Sequence, residues 1–189
     1  MDMASQVRRW TRAEVLALPD DGMRYELIDG ELLVTPSPAG PHQRAVMALY
    51  DRVSAYVRAH RLGYTCVAPA DLDLRGEQVA QPDLFVVPLV EDREPVEWPE
   101  FGIPMLIAEV LSPSTARYDR ITKRRRYQRS GVGLYWIVDL DARLVECWRP
   151  DDERPQIAAE QLSWQPRREV AELTVDLPRL FREIRAEAG

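Results

Sequence analysis

Two short apolar segments that each carry one acidic residue constrain most strongly how this chain folds. Asp83 begins the segment DLFVV, and Glu109 stands near the end of the segment MLIAEVL. Burying a carboxylate in an apolar strand is costly unless a partner or a cation compensates its charge. If the two segments are antiparallel neighbours in one sheet, the start of one lies beside the end of the other. The pattern therefore predicts two carboxylates that meet at one edge of a sheet.

The elements around these two segments predict an α/β fold. Its core runs in the order helix, strand, strand, strand, helix and strand, over residues 42–60, 64–74, 83–87, 105–111, 118–130 and 134–140. We expect Gly63 to end the first of these helices. Three strands with short connections, followed by a crossover helix, favour a mixed sheet with helices on its faces.

Further elements are predicted on both sides of this core. Thr11 and Glu14 form a capping-box pattern at the start of a short helix, and Asp29-Gly30 is a turn signal inside a hairpin over 24–36. A loop at 37–41, strands at 144–149 and near 169–175, and a helix from about 177 complete the prediction. The chain has 189 residues and shows neither a repeat nor a linker, so we expect one domain spanning 1–189.

Composition narrows the classes of function. Two cysteines and two histidines, none of them in an HExxH or HxH motif, argue against a zinc hydrolase. No apolar run approaches the roughly 18 residues of a membrane span, and the N-terminus lacks a signal-peptide core, so a cytoplasmic protein is expected. The net charge of −6 does not favour general binding to phosphate backbones. Any contact with nucleic acid must therefore come from a local patch.

The two acidic residues predict either a raised pKa or a bound metal where they converge. Oxygen ligands alone favour Mg²⁺ or Mn²⁺ over zinc. For Asp83 or Glu109 taken singly, an alternative is a carboxylate at a strand end that caps a loop or pairs with an arginine.

The helix predicted over 118–130 contains the only lysine of the chain, Lys123, among 25 basic residues. Asp119, Lys123 and Tyr127 are spaced i, i+4 and i+8 and therefore share one helix face. If this face looks toward Glu109, the ammonium group can reach the metal site. The alternative is a solvated helix with an Asp119–Lys123 ion pair.

The same helix region is the most basic stretch of the chain. Its arginines suit contact with phosphate, although such runs are also common on solvated surfaces: Arg117, Arg120, Arg124, Arg125, Arg126 and Arg129. We take Arg120 and Arg124 as the candidate phosphate-binding residues.

Five segments of the chain match a known pattern: RYELIDGEL, PSPAGPHQR, QPDLFVV, IAEVLSPSTARYDRITKRRRYQRSGVGLYWIVD and DLPRLF, spanning roughly 24–181. Together they resemble the PD-(D/E)XK superfamily of restriction-endonuclease-like proteins and, within it, the branch of Uma-type bacterial endonucleases. The long string that begins EVLSPST makes the resemblance specific. It implies a restriction-endonuclease-like core of mixed β-sheet flanked by helices (α-β-β-β-α-β), with extra N- and C-terminal strands.

The resemblance also implies roles for individual residues. Asp83 and Glu109 would bind the metal, with the backbone carbonyl of Val110 as a further ligand. The lysine that the superfamily places two residues after the glutamate is replaced here by Leu111. In this branch the lysine is supplied by the following helix, which points to Lys123.

Two more positions match the family pattern. Glu26 corresponds to an acidic position near the site, where it would assist a second metal. His42 corresponds to a position whose role is open between a structural one at the helix start and a catalytic one.

The resulting hypothesis is an Mg²⁺- or Mn²⁺-dependent endonuclease that hydrolyses phosphodiester bonds of DNA. Lys123 would position the attacking water or stabilise the transition state, and Tyr127 would contact phosphate. A homodimer would suit cleavage of both strands of a duplex.

Two alternatives stay open. The acidic character of the chain and the absence of a lysine at position 111 suit a nuclease-fold module that binds nucleic acid or assembles without turnover. A structural homo-oligomer would instead have its carboxylates neutralised by arginines.

Overall fold

The computed structural model describes residues 8–35, 40–74, 79–97 and 100–186. The helices and strands follow in the order α1 (Arg12–Leu16), β1 (Arg24–Ile28), β2 (Glu31–Thr35), α2 (Gly40–Ala59), β3 (Gly63–Val67), β4 (Leu84–Pro88), β5 (Leu106–Val110), α3 (Ala116–Tyr118), α4 (Arg124–Arg129), β6 (Tyr135–Asp139), β7 (Leu144–Trp148), β8 (Gln156–Ala158), β9 (Gln161–Trp164), β10 (Leu173–Asp176) and α5 (Leu177–Arg185). A π-helical turn, Asp119–Lys123, joins α3 to α4 in one continuous helical stretch.

Six strands form the central sheet in the spatial order β3-β4-β5-β6-β7-β8. β4 is antiparallel to β3 and to β5, with Leu84 opposite Ala108, which confirms the predicted pairing of the two acid-bearing segments. β5 and β6 are parallel, because the helical stretch α3–α4 crosses between them. The hairpins β1–β2 and β9–β10 lie outside this sheet. The predicted mixed sheet, core order and extra terminal strands are therefore confirmed.

Side chains alternate along the central strands and enter two apolar cores, one on each face of the sheet. On one face, Leu84 and Val86 belong to a core that includes residues of α2 and α5. On the opposite face, Phe85 and Ile107 share a core with Tyr127 of α4. Glu109 is two residues beyond Ile107 in β5, so its side chain points to the face that the helical stretch α3–α4 covers.

The predicted flanking elements are also present. Glu14 N–H donates to the Thr11 hydroxyl and the Glu14 carboxylate accepts from Thr11 N–H, so the capping box of α1 is formed. Asp29 and Gly30 have φ values of 52° and 82° in the turn between β1 and β2. Residues 36–39, the end of the predicted hairpin and most of the loop after it, lie outside the described residues. Among the helices of the described ranges, none is both long and apolar enough to cross a bilayer.

Some local predictions were wrong. The strand expected over 64–74 ends at Val67, and Leu72 forms an isolated bridge to Ala80. The alternation of apolar and acidic residues over 71–74 arises because Leu72 and Leu74 are buried beside the sheet without being part of a strand. β8 and β9 were not predicted, since these short segments have no clear apolar alternation. Gly63 does not end α2, which stops at Ala59, but begins β3.

Gly63 is required by the close approach of β3 to β4. A Cβ atom at this position would lie 1.8 Å from the carbonyl oxygen of Val87. The Gly63→Ala variant is therefore expected to lose roughly 3 kcal/mol or more of unfolding free energy, measured by urea denaturation.

The matched control is Gly102→Ala, in the loop before β5, where an added Cβ meets only side-chain atoms of Pro88, at 3.4 Å or more. It should change the unfolding free energy by less than about 1 kcal/mol, since these are ordinary van der Waals distances. Equal losses in the two variants would contradict the packing explanation.

Candidate active site

Asp83 stands immediately before β4 and is anchored by three donors. Arg24 Nη1 donates to Oδ1 at 2.8 Å, the Val110 N–H donates to Oδ2 at 2.9 Å, and His42 Nε2 lies 3.0 Å from Oδ2. Burial by itself raises the pKa of Asp83, but His42 and Arg24 hold that pKa well below its usual value. Asp83 is therefore an ionised carboxylate with a fixed orientation.

Glu109 is brought against Asp83, as the strand pairing predicts. Its Oε2 accepts a hydrogen bond of 3.3 Å from the backbone N–H of Asp83. Its Oε1 accepts from the Tyr127 hydroxyl at 3.0 Å and lies 2.8 Å from Lys123 Nζ. Both carboxylate oxygens thus have partners on different elements of the fold.

The ammonium group of Lys123 lies among three carboxylates. Its Nζ is 2.8 Å from Glu109 Oε1, 2.9 Å from Glu26 Oε2 and 3.5 Å from Asp119 Oδ1. Burial by itself lowers the pKa of Lys123, but Glu109, Glu26 and Asp119 raise it well above the usual value. The lone lysine of the chain is consequently a buried, charged group at the centre of the site.

The π-helical turn shapes this arrangement. π-Helical geometry is rare and occurs mostly as single turns, frequently at functional sites. Asp119 and Lys123, the first and last residues of the turn, are buried, whereas Ile121 between them is exposed. Asp119 was not predicted as a site residue, although its shared helix face with Lys123 was the available signal.

The charges of this cluster do not balance. Four buried carboxylates face two permanently charged cations: Glu26, Asp83, Glu109 and Asp119 against Lys123 and Arg24. Burial raises the pKa of Glu109 well above its usual value and also raises that of Asp119, and neighbouring carboxylates add to both effects while Lys123 opposes them. A buried excess of negative charge favours either proton uptake or a bound cation.

The carboxylate oxygens of Asp83 and Glu109 are suitable ligands for a hard cation that keeps part of its water shell. Among the described residues, no three side chains of His, Cys, Asp or Glu converge to hold a metal ion. Mg²⁺, however, is commonly bound by only one or two carboxylates. The Val110 N–H points to Asp83, and the N–H and C=O of one strand residue face the same side, so the Val110 carbonyl is directed toward this edge as well.

The cluster opens into a cavity of about 970 Å³. Its walls include the five residues Arg24, His42, Asp83, Glu109 and Lys123, together with the loop at 112–115 and part of α5. Arg44, near the start of α2, is an exposed part of this wall and has no ion-pair partner in the part of the chain that the structure describes. A volume of this size accommodates a small-molecule ligand or a segment of a larger substrate.

Two predicted site residues support the ion cluster in ways that the sequence did not indicate. Glu26 Oε1 accepts from the Gln81 N–H at 2.9 Å while its Oε2 pairs with Lys123, so in this structure Glu26 holds the lysine, and its assistance to a second metal stays a prediction. His42 lies near the start of α2, and its Nε2 contacts Asp83. Its buried Nδ1 has no hydrogen-bond partner among the described residues.

The predicted phosphate contacts need correction. Tyr127 is fully buried with its hydroxyl on Glu109, so it cannot face a phosphate. Arg124 stacks on Trp148, with its guanidinium carbon 4.5 Å from the ring centre, and does not line the cavity.

Arg120 does line the cavity, but its charge is compensated. Its Nε lies 2.6 Å from Glu146 Oε1 and its Nη2 lies 2.8 Å from Asp139 Oδ2. The sequence could not reveal this, because both acidic partners come from distant strands.

Comparison with known proteins identifies the family of the chain. The model of the Uma2 family, described as "Putative restriction endonuclease", matches residues 12–182. The chain belongs to the Uma2 family. This confirms the family that the sequence resembles.

A solved structure is similar to this Uma2 chain over most of its length. A crystal structure described as "a putative nuclease belonging to DUF820", from Anabaena variabilis ATCC 29413, superposes with a TM-score of 0.71. The two are 23% identical, and the match covers 93% of the Uma2 chain and 99% of that chain. At this identity the similarity shows the fold alone, and it confirms the predicted fold class. No curated protein matches.

The raised pKa of Glu109 predicts how stability depends on pH. The folded state binds the proton of the Glu109 carboxyl group more tightly than the unfolded state does. The protonated group therefore stabilises the folded state, and this stabilisation is complete below about pH 4.5. It is lost as the pH rises through the folded-state pKa, so urea denaturation without metal should show decreasing unfolding free energy from pH 5 upward. In Glu109→Gln this decrease should be smaller, and an unchanged pH dependence would contradict the role of Glu109.

Proposed function

We propose that this Uma2 protein is a metal-dependent DNA endonuclease formed by one domain over 1–189. The observation that carries the proposal is the uncompensated set of buried carboxylates around Lys123, open to a cavity at a sheet edge. A fold without a ligand would gain little from such an arrangement, because buried charge without compensation is destabilising. Membership of a family described as "Putative restriction endonuclease" makes nucleic acid the expected substrate class.

Asp83, Glu109 and the Val110 carbonyl would hold Mg²⁺ or Mn²⁺. When bound, such an ion polarises the scissile phosphate and lowers the pKa of the attacking water. Arg24 and His42 orient Asp83 through its two oxygens, and Tyr127 fixes Glu109.

The ammonium group of Lys123 supplies a compact positive charge beside these carboxylates. It would orient the water or stabilise negative charge that develops on the phosphate, tasks that suit a point charge better than the planar guanidinium group of arginine. Glu26 holds the ammonium in place from the hairpin β1–β2.

A second candidate is a nuclease-fold module that binds nucleic acid or assembles without turnover. The ion pair between Arg24 and Asp83, at 2.8 Å, favours it, because Arg24 engages Oδ1 and so weakens the hold of this carboxylate on a catalytic cation without preventing the cation from binding. Under this alternative the protein would bind Mn²⁺ or DNA, or self-associate, without cleaving a substrate.

Cleavage assays distinguish the two functions. The purified protein should cut plasmid or linear DNA in the presence of Mg²⁺ or Mn²⁺ but not in EDTA. Asp83→Asn should reduce the rate by about 100-fold or more, in the range found when a group that stabilises transition-state charge is removed.

Asp151→Asn is the matched control, since it makes the same chemical change at an exposed position outside the cavity. Undiminished cleavage by Asp83→Asn would show that Asp83 is not part of the active site. Manganese-dependent thermal stabilisation without cleavage would establish the second candidate.

Arg44 is proposed as a contact to the DNA backbone, in place of Arg120 and Arg124, whose guanidinium groups are engaged elsewhere. Arg44→Ala should weaken DNA binding equally for different sequences. It should also reduce the slope of log affinity against log salt concentration by about 1.

Arg58→Ala is the control for this experiment. Arg58 is an exposed arginine of the same helix, α2, and lies roughly 21 Å from Arg44 along the helix axis. Equal effects of the two substitutions would indicate a general charge effect instead of a defined contact.

A further inference from the structure

One carboxylate oxygen of Asp119, Oδ1, is a buried acceptor that has no role in the proposed catalytic mechanism. Asp119 is only 2% exposed, and its Oδ1 has no hydrogen-bond partner among the described residues. The side chain belongs to the wall of the cavity, and Oδ1 lies 3.5 Å from Lys123 Nζ, beyond the usual length of a charge-assisted hydrogen bond. A buried carboxylate oxygen without a hydrogen bond is costly, so a second state of the site in which this oxygen gains a partner would explain why it is retained.

The other two carboxylates around Lys123 are already engaged at short distance. Glu26 pairs with Nζ at 2.9 Å and accepts the Gln81 N–H with its other oxygen. Glu109 pairs with Nζ at 2.8 Å through the same oxygen that accepts from Tyr127. Asp119 is therefore the member of the three that can still gain a hydrogen bond from Lys123.

A cation at Glu109 would change this balance. A divalent ion repels an ammonium group twice as strongly as a monovalent ion does at the same distance, so Lys123 cannot keep its full contact with an oxygen of Glu109 that binds the cation. The displaced ammonium group needs another acceptor, because an unpaired buried charge is costly.

We propose that Asp119 is the positioning residue that receives Lys123 when Glu109 binds a divalent cation. This inference rests on the proposed function, since it presupposes cation binding at Asp83 and Glu109. Lys123 shortens its contact with Asp119 and lengthens its contact with Glu109, while Glu26 keeps hold of the ammonium group. Asp119 thereby favours cation binding without being a ligand.

The local geometry suits such an exchange. Asp119 and Lys123 are the two ends of one π-helical turn, so the ammonium group reaches Asp119 by rotation of its own side chain, without movement of the backbone. The gap to be closed is below 1 Å, from 3.5 Å to the 2.7–2.9 Å of a charge-assisted hydrogen bond.

A double-mutant cycle tests the proposal with the Mn²⁺ affinity, measured by calorimetry on the full chain. The four proteins are the unsubstituted chain, Asp119→Asn, Lys123→Met and the double variant. Asp119→Asn keeps the shape of the side chain and removes its charge, so it should weaken Mn²⁺ binding by about tenfold in the presence of Lys123, within the coupling range of contacting residues. In the Lys123→Met background the same substitution should have little effect, because no ammonium group remains to be moved.

Other outcomes overturn the proposal in distinguishable ways. An equal loss of affinity in both backgrounds would make Asp119 a direct ligand, and no loss in either would remove it from the site. Both results would leave the proposed function standing. Absence of Mn²⁺ binding by the unsubstituted chain would overturn the proposed function together with this inference.

A crystal structure of the unsubstituted chain with Mn²⁺ gives an independent test that does not depend on the folding of Lys123→Met. We expect Nζ within hydrogen-bond distance of Asp119 Oδ1 and farther than 2.8 Å from Glu109 Oε1. Unchanged Lys123 distances beside bound Mn²⁺ would refute the exchange.

Discussion

The buried ammonium group of Lys123 is the interaction on which the arrangement of this site depends. Through its three carboxylate neighbours it joins separate parts of the chain: Glu26 comes from β1, Glu109 from β5, and Asp119 from the same helical turn as the lysine. None of these groups would be tolerated alone in an apolar interior, because an isolated buried charge costs several kcal/mol. Each therefore requires the others, and this mutual requirement holds the hairpin and the helical stretch against the sheet.

A second set of ion pairs, nearer the surface, also joins the hairpin β1–β2 to the helical stretch α3–α4. Asp29, in the turn of the hairpin β1–β2, lies 3.0 Å from Arg129 and 3.7 Å from Arg126 of α4. These partly exposed pairs contribute little energy individually, since solvent screens them. Their effect is geometric: they hold the turn over the helix, so that Glu26 on the inner side of the hairpin reaches Lys123.

The site combines a stable scaffold with an unfavourable distribution of charge. The scaffold is two apolar cores on the faces of a six-stranded sheet, and the carboxylates lie at the edge where β4 begins and β5 ends. Proteins commonly accept such local destabilisation where binding or catalysis needs it. Burial raises the pKa values of Glu109 and Asp119, neighbouring carboxylates add to this effect, and a cation would relieve it.

The sequence by itself determined the order of the core elements, the pairing of the segments of Asp83 and Glu109, and the special place of Lys123. The first two follow from local signals, apolar runs and helical spacing, whereas the place of Lys123 was indicated by its helix face together with the family resemblance. Only the tertiary structure decided which charges neutralise one another. Arg120, Arg124 and Tyr127 suit phosphate by residue type, yet their partners come from β6, β7 and β5. The spacing of Asp119 and Lys123 placed them on one helix face, but only the structure showed the π-helical turn between them and the burial of both. The physical reason is that ion pairs depend on distances of a few ångströms between residues far apart in the chain, which spacing along the sequence does not encode.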